Sequence, residues 1–389
     1  MNTVLHPATE DEVTAAVLAA STDGATLAIE GNGSKRGLLR PMRADRTISL
    51  RGLSGITLYH PQELIISARA GTPLPEIEAA LAEKGQHLIA EPPALAALFG
   101  SGRSATIGGI VATNLSGPRR IAWGAMRDHV MGIRAVNGQG EIFRSGGRVL
   151  KNVTGLDLCK LLTGSHGTLG IITEVTLKVL PAPQASGTVS IRLADLSNGV
   201  AVLSAGLGSP FSVSGAALLP DADGATALLR IEDFAESVTY RCGMLRDAMA
   251  RFGETDIAEG TEALWRDIRD AVPLNAAPED AVWRVSVQPS AAPGLVATLR
   301  AAGFGRFLLD WGGGLIWLAG EASEAAHQAV VAAALTADGT YTLFRAPEAL
   351  RAMVLVIPDE PPALAAIARR VKAVMDPAGL FNPGRMRAG

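Results

Sequence analysis

The turn Gly31-Asn32-Gly33-Ser34-Lys35-Arg36 follows the strand-like run Ala25–Glu30 without a break. Small residues in such a turn expose successive backbone N–H groups, and a nest of that kind binds anions, phosphate in particular. Lys35 and Arg36 would add positive charge. Two familiar phosphate loops are excluded. A dinucleotide fingerprint needs a third glycine where Arg36 stands and a helix behind it, but Pro41 follows soon after. The Gly-x-x-x-x-Gly-Lys-Ser/Thr loop is absent. A plain Gly-rich turn accounts for the same residues.

Three more stretches share this character. In ATIGGIVATNLSGPRR (105–120), Gly108 and Gly109 interrupt β-branched residues. Glycine there lets main chain approach a ligand closely, with Thr106, Thr113 and Asn114 available to ligand oxygens or ring nitrogens. A β-bulge with capped turns is the other reading. Gly164-Ser165-His166-Gly167-Thr168-Leu169-Gly170 runs into the apolar Ile171-Ile172, which suits backbone contact with something flat. Asn382-Pro383-Gly384-Arg385 closes the chain as a polar tail motif or a simple terminator.

These turns need elements to hold them. Thr9 to Glu12 reads as a capping box opening a helix whose face is Val13, Val17 and Leu18. RTISL, GITLYH and LIISARA read as short strands, and Thr72-Pro73 starts a second helix with Leu74, Ile77 and Leu81 inward. VMGIRAVNGQGEIFRSG reads as a hairpin. Pro181 and Pro183 mark a change of composition, and a domain boundary is expected there. Beyond it, strand-like runs alternate with helices, including Ser237–Arg251 and Glu262–Ala271, as in an antiparallel sheet with helices on one side. The expected class is α+β, with units at 1–182 and 183–346 and a C-terminal segment, 347–389, that carries a helix over Pro362–Met375.

Composition removes several function classes. A formal charge of −3 with acids and bases interspersed and 4% aromatics leaves neither a basic stripe nor stacking platforms for nucleic acid. Cys159 and Cys242 are the only cysteines, too few for a disulfide framework, a four-Cys zinc site or a Cys-ligated cluster. Six scattered histidines show no paired metal spacing. The amino terminus lacks a signal-peptide pattern, and no apolar run approaches membrane-spanning length. A reducing, cytoplasmic setting is expected, with any membrane association peripheral and through partners.

Taken in order, GNGSKRGL, GTPLPEIEAALAEKGQHL, EPP, ATIGGIVATNLSGPRR, GAMRDHVMGIRAVNGQGEIFRSGGRVLKNVTGLDLCKLLTGS and DPAGLFNPGRM resemble flavoproteins of the vanillyl-alcohol-oxidase/p-cresol-methylhydroxylase type, and among them the FAD-binding subunits of bacterial glycolate oxidases. The resemblance covers most of residues 1–180 and the tail. It implies a two-subdomain FAD-binding domain of that type, an antiparallel α+β cap and an extended FAD. It puts Gly31, Asn32, Gly33, Ser34, Lys35 and Arg36, with Thr106, Ile107, Gly108 and Gly109, around the pyrophosphate. Thr113, Asn114 and Gly117 would lie along the cofactor, with Pro92 of the EPP turn also at the site. Gly170, Ile171 and Ile172 would meet the adenosine end, and Asn382 and Arg385 would return near the isoalloxazine. Relatives with covalent flavin often carry a histidine in the first turn. Asn32 and Ser34 stand there, so non-covalent FAD is expected.

The resemblance further implies a complex with a second FAD subunit and an iron–sulfur subunit that oxidises glycolate to glyoxylate. Such chemistry needs a base for the hydroxyl proton and an Arg for the carboxylate. The cap lacks the His-rich signatures of the catalytic relatives. His327 is expected to be a solvated helix residue, His129 structural, and His166 adenosine-side packing. Arg284, Arg306 and Arg345 are the cap guanidinia available to an anion, and Trp283, Trp311 and Trp317 read as core. No catalytic residue is assigned. A self-sufficient FAD-dependent 2-hydroxy acid dehydrogenase, a non-catalytic assembly scaffold and a UDP-sugar reductase on a similar fold are the alternatives.

Overall fold

The computed structural model describes residues 3–147, 156–221 and 224–387. Residues 148–155, inside one of the motifs quoted above, lie outside the described residues.

The chain opens with a small parallel sheet of β1 (Thr3–Leu5), β2 (Leu27–Glu30) and β3 (Arg46–Ser49), in the order β1-β3-β2. Helix α1 (Glu10–Asp23) connects β1 to β2. Thr9 caps it, accepting from Glu12 N, and Glu12 reaches back to Ala8 N. Its inner face is Val13, Val17 and Ala20. Leu18, expected inside, is largely exposed, because the helix buries only a narrow i, i+4, i+7 stripe.

A second, antiparallel sheet follows. It contains β4 (Ile56–His60), β5 (Ile65–Arg69), β6 (Gln86–Leu88), β7 (Val130–Val136), β8 (Ile142–Gly146) and β9 (Ile171–Pro181). Its order is β4-β5-β9-β7-β8, with β6 also paired to β9. The hairpin read from the sequence is β7 and β8, in register from Gly132 opposite Gly146 to Val136 opposite Ile142. Helix α2 (Leu74–Ala82) lies between β5 and β6 with Leu74, Ile77 and Leu81 buried. The two sheets share one apolar core that includes Val13, Ile48, Ile77, Ile107 and Val175.

An eight-stranded antiparallel sheet follows, with β10 (Ala185–Leu193), β11 (Gly215–Pro220), β12 (Ala225–Asp233), β13 (Glu254–Glu259), β14 (Ala281–Ser286), β15 (Arg306–Asp310), β16 (Leu315–Gly320) and β17 (Thr340–Arg345). Its order is β13-β10-β12-β11-β15-β16-β14-β17. Helices Ala235–Met249 and Glu262–Arg269 stand where helices were expected, each ending two residues earlier. Trp283 and Trp317 are core residues of this sheet. His327 is buried rather than solvated. Its Nδ1 accepts from Trp283 Nε1 at 3.1 Å, because its helix turns that face onto the sheet. After Pro362–Met375 the tail returns to the first sheet, where Phe381 bridges Leu27 in parallel.

Candidate functional site

The stretch 105–120 forms neither a strand nor a bulge. Ile107–Thr113 is a short helix, α3, capped at Thr106, whose hydroxyl accepts from Gly109 N. The two motifs touch. A Cβ on Gly31 would lie 2.0 Å from Thr106 Oγ1, so only glycine fits there. A Cβ on Gly108 would lie 2.5 Å from Ala70 Cβ. That glycine serves close packing, and its N–H is already given to Ala70 O at 2.9 Å. Gly109 differs, since its open side faces Lys35 Nζ.

A cavity of about 570 Å³ opens between the two amino-terminal sheets. Gly31 to Arg36 form one wall, Thr106, Gly108, Gly109 and Thr113 a second, Gly170 and Ile172 a third, and Asn382 and Arg385 the floor. The backbone N–H groups of Asn32, Gly33, Ser34 and Lys35 donate to no protein acceptor among the described residues. A run of free amides facing a cavity is an anion nest. Ile29 N donates to Asn382 Oδ1 at 2.7 Å, and Asn382 Nδ2 donates to His166 O at 2.8 Å, so the tail joins the strand before the first turn to the later glycine turn. Arg385 donates to the carbonyls of Lys35, Arg36 and Arg40 and holds the first turn from below.

The cavity is electropositive: with Glu30 and Arg36 closed on each other, Lys35, Arg351 and Arg385 outnumber Glu348 among its lining charges. Burial, with help from the Arg385 charge, pulls the Lys35 ammonium down to about 8. Burial and then Arg351 take Arg385 to about 10. Burial, Arg385 and Lys35 push His166 to about 3, so its ring is neutral at pH 7. No carboxylate pairs with Lys35 or Arg385 among the described residues. Arg36 does not add to this charge, because its fork closes on Glu30 at 2.6 and 2.7 Å and points outward. Two half-buried cations beside free amides favour an anion, since a partly desolvated charge without a counter-charge is costly.

Fourteen of the expected site residues line this cavity, and five do not. The Ile107 and Ile171 side chains are in the core. Asn114 ends α3 in the left-handed region, and its Oδ1 accepts from Arg127 N. Gly117 lies under the cap, where a Cβ would meet Glu91 O at 2.2 Å. Pro92 lines a second, smaller cavity between the halves of the molecule. Residues missed by sequence reasoning include Thr47, Ala70, Glu348 and Arg351. None of these four stands in a local motif, and Arg351 is separated from the tail motif by the helix Pro362–Met375.

The second cavity adjoins a bridge between the halves. Arg230 of β12 holds Glu91 at 2.9 and 3.0 Å and lies 3.2 Å from Glu232. Arg119 holds Glu232 at 2.6 and 3.0 Å. Burial alone would raise Glu232, but the Arg119 hydrogen bonds and the Arg230 and Arg119 charges outweigh it and hold the carboxyl at about 2.

Comparison with known proteins agrees with this geometry. A family model described as an FAD binding domain matches residues 1–146. The glycolate oxidase subunit GlcE of Escherichia coli (strain K12) is 37% identical over 95% of each chain. A D-lactate dehydrogenase of Anaerostipes hadrus is 32% identical over 51% of this chain and 41% of its own. Among solved structures, the 4-ethylphenol oxidase of Gulosibacter chungangensis aligns with a TM-score of 0.72 over 99% of this chain and 88% of its own, at 14% identity. An alkyldihydroxyacetonephosphate synthase aligns with a TM-score of 0.70 over 98% of this chain and 76% of its own, at 17% identity. The fold is a two-subdomain FAD-binding unit of the p-cresol-methylhydroxylase type with an antiparallel cap. On its sequence and its architecture, the chain belongs to the GlcE family of FAD-dependent oxidoreductase subunits.

Proposed function

We propose that this chain is the FAD-carrying subunit of a complex that oxidises glycolate to glyoxylate. One observation carries the cofactor assignment: Lys35 and Arg385 are half-buried without acid partners beside the free amides of Asn32 to Lys35. The FAD pyrophosphate supplies the missing negative charge. Gly109 leaves room for it against Lys35, and Gly170 and Ile172 form the wall for the flat adenosine end. Arg385 and Asn382 act by holding the two glycine turns at the right spacing. Bound FAD would accept the two electrons that leave the substrate α-carbon. The first turn offers Asn32 and Ser34 and no histidine, which favours non-covalent binding. We place the FAD unit at 1–182, the cap at 183–346 and the returning segment at 347–389.

The partners are a second FAD subunit and an iron–sulfur subunit. The Escherichia coli relative is by name a subunit, which supports an assembly. So does the glycolate oxidase subunit GlcD of Bacillus subtilis, 28% identical over 48% of this chain. Among the described residues no helix is long and apolar enough to cross a membrane, and we place the complex in the cytoplasm with at most peripheral membrane contact. The purified protein is expected to be yellow and to release all its flavin on acid precipitation. A colourless protein that takes up no added FAD overturns the assignment, and flavin that stays with the pellet overturns the non-covalent mode.

A further inference from the structure

Three arginines of the cap sheet were candidates for an anion, and the structure separates them. Arg306 pairs with Asp280 at 2.6 Å. Arg345 donates to the carbonyls of Leu98, Ala277 and Asp280. Arg284 has no such partner. Its Nε is closed off from solvent and meets no acceptor, and no hydrogen bond or ion pair engages its guanidinium among the described residues. It lies among three aromatic rings, with its Cζ 4.9 Å from the Trp317 centroid and 5.5 Å from those of Trp311 and Phe344.

The sheet register shows which way it points. On β14, Trp283 faces the helix Glu324–Thr336 through its bond to His327. Successive side chains alternate between faces, so Arg284 points to the opposite face, toward the FAD-binding half. That face meets the amino-terminal half directly. Trp311 Nε1 donates to Gly117 O at 3.1 Å, and Phe344 packs on Phe99. Arg284 retains partial exposure although Trp317 and Thr342 flank it on the neighbouring strands. The part that solvent reaches is therefore the terminal fork. Arg120, on the exposed side of the same seam, stacks on Trp311 at 4.2 Å. Two guanidinia thus share one indole and repel each other. Asp310 is the nearby acid, but it forms no ion pair with Arg284. Burial raises its carboxyl to about 7, so at neutral pH it carries only part of a negative charge and does not neutralise both guanidinia.

A partly desolvated guanidinium whose Nε meets no acceptor gains when an anion docks on the fork that solvent still reaches. The planar fork matches a carboxylate bidentately, and aromatic faces beside it lower the competing hydration. We propose that Arg284, assisted by Arg120, binds the carboxylate of a small 2-hydroxy or 2-oxo acid at the seam between cap and FAD-binding half, so that this subunit holds substrate or product itself. This deepens the functional reading above and rests on it.

Trp311 and Trp317 make the site self-reporting. Glycolate and glyoxylate titrated into the purified holoprotein should give a saturable change in tryptophan fluorescence. Glycolamide, of the same size but without the carboxylate, should give none. Arg284→Met should weaken glycolate at least about tenfold, as expected for loss of a charged hydrogen-bonding partner, while leaving the melting temperature level or higher. Arg284→Lys, which keeps the charge but loses the fork, should fall in between. Arg306→Met should titrate like the wild type. The proposal is overturned if the wild type gives no saturable response at millimolar glycolate, if glycolamide binds equally, or if Arg284→Met titrates unchanged. It also fails if Arg284→Met melts lower and binds normally, the pattern of a purely structural cation. Flavin colour is read separately. A colourless protein that binds glycolate sinks the cofactor reading alone, and a yellow protein blind to glycolate sinks this one alone.

Discussion

Two groups of cations drawn out of solvent in this molecule have opposite surroundings. In the seam between the halves, Arg119 and Arg230 are each held by carboxylates, and Glu91 and Glu232 are acidic because of them. In the glycine cradle, Lys35 and Arg385 are half-buried with no acid partner, and both lose basicity. The chain supplied counter-charges where it needed a joint and withheld them where a ligand brings its own. Pairing, more than burial or charge alone, separates structural from functional cations here.

The largest expected break is in the cradle. Lys35→Glu should abolish flavin binding, and Lys35→Met should cost about 2–5 kcal/mol of FAD affinity, the range for losing one partner of a buried charge contact. Flavin content after purification measures both. Neither substitution should destabilise the flavin-free fold, since each removes an uncompensated cation. Flavin content unchanged in Lys35→Glu would erase the distinction between the two regions.

In the seam the effect moves to stability. Arg230→Met leaves Glu91 without its partner and should cost about 3–5 kcal/mol in chemical denaturation. FAD affinity of the folded fraction should not change. Arg230→Met combined with Glu91→Gln should recover most of the loss. If the double variant is no better than the single one, the joint is not held by pairing.

In the cradle, flavin-free stability and FAD affinity should respond to pH in opposite directions, while the seam gains stability with rising pH in a separate acid window. Lys35 titrates at about 8 in the folded chain against an ordinary lysine value of 10.5, so between those values the unfolded chain binds more protons. Stability of the flavin-free protein therefore gains from this group as pH rises from 8 toward 10.5. FAD affinity falls over the same range, because the deprotonated amine no longer meets the pyrophosphate. Glu232 is depressed to about 2 from 4.5, so its contribution is complete above 4.5 and is lost as pH falls toward 2. Melting curves and FAD titrations across pH would show the crossing trends.

The smallest contrast is between neighbouring glycines. Gly108→Ala forces a methyl onto Ala70 and should cost about 1–3 kcal/mol of stability. Gly109→Ala meets nothing closer than 3.3 Å, so the fold should keep its stability while flavin content drops. Thermal melts and flavin absorbance separate the two.

Much of this was legible in one dimension. The α1 capping box, the β7–β8 hairpin and the glycine turns rest on local rules linking residue type to backbone conformation, and those rules act within a few residues. The 105–120 stretch misled because α3 is short and carries two glycines and β-branched residues, all poor helix formers. Its helical state depends on packing against Ala70 and on the Thr106 cap. His327 misled for a similar reason, since an Ala-rich helix has no pronounced apolar face to show which side is buried.

The amino-acid sequence determined where glycine and polar turn residues stand, and with them the family and the cofactor. Only the folded chain decided which cations have partners. Glu91 and Arg230 are 139 residues apart along the chain, and Lys35 and Arg385 are 350 apart. Coulomb energy depends on distance and desolvation in space, and neither is written in the order of residues along the chain.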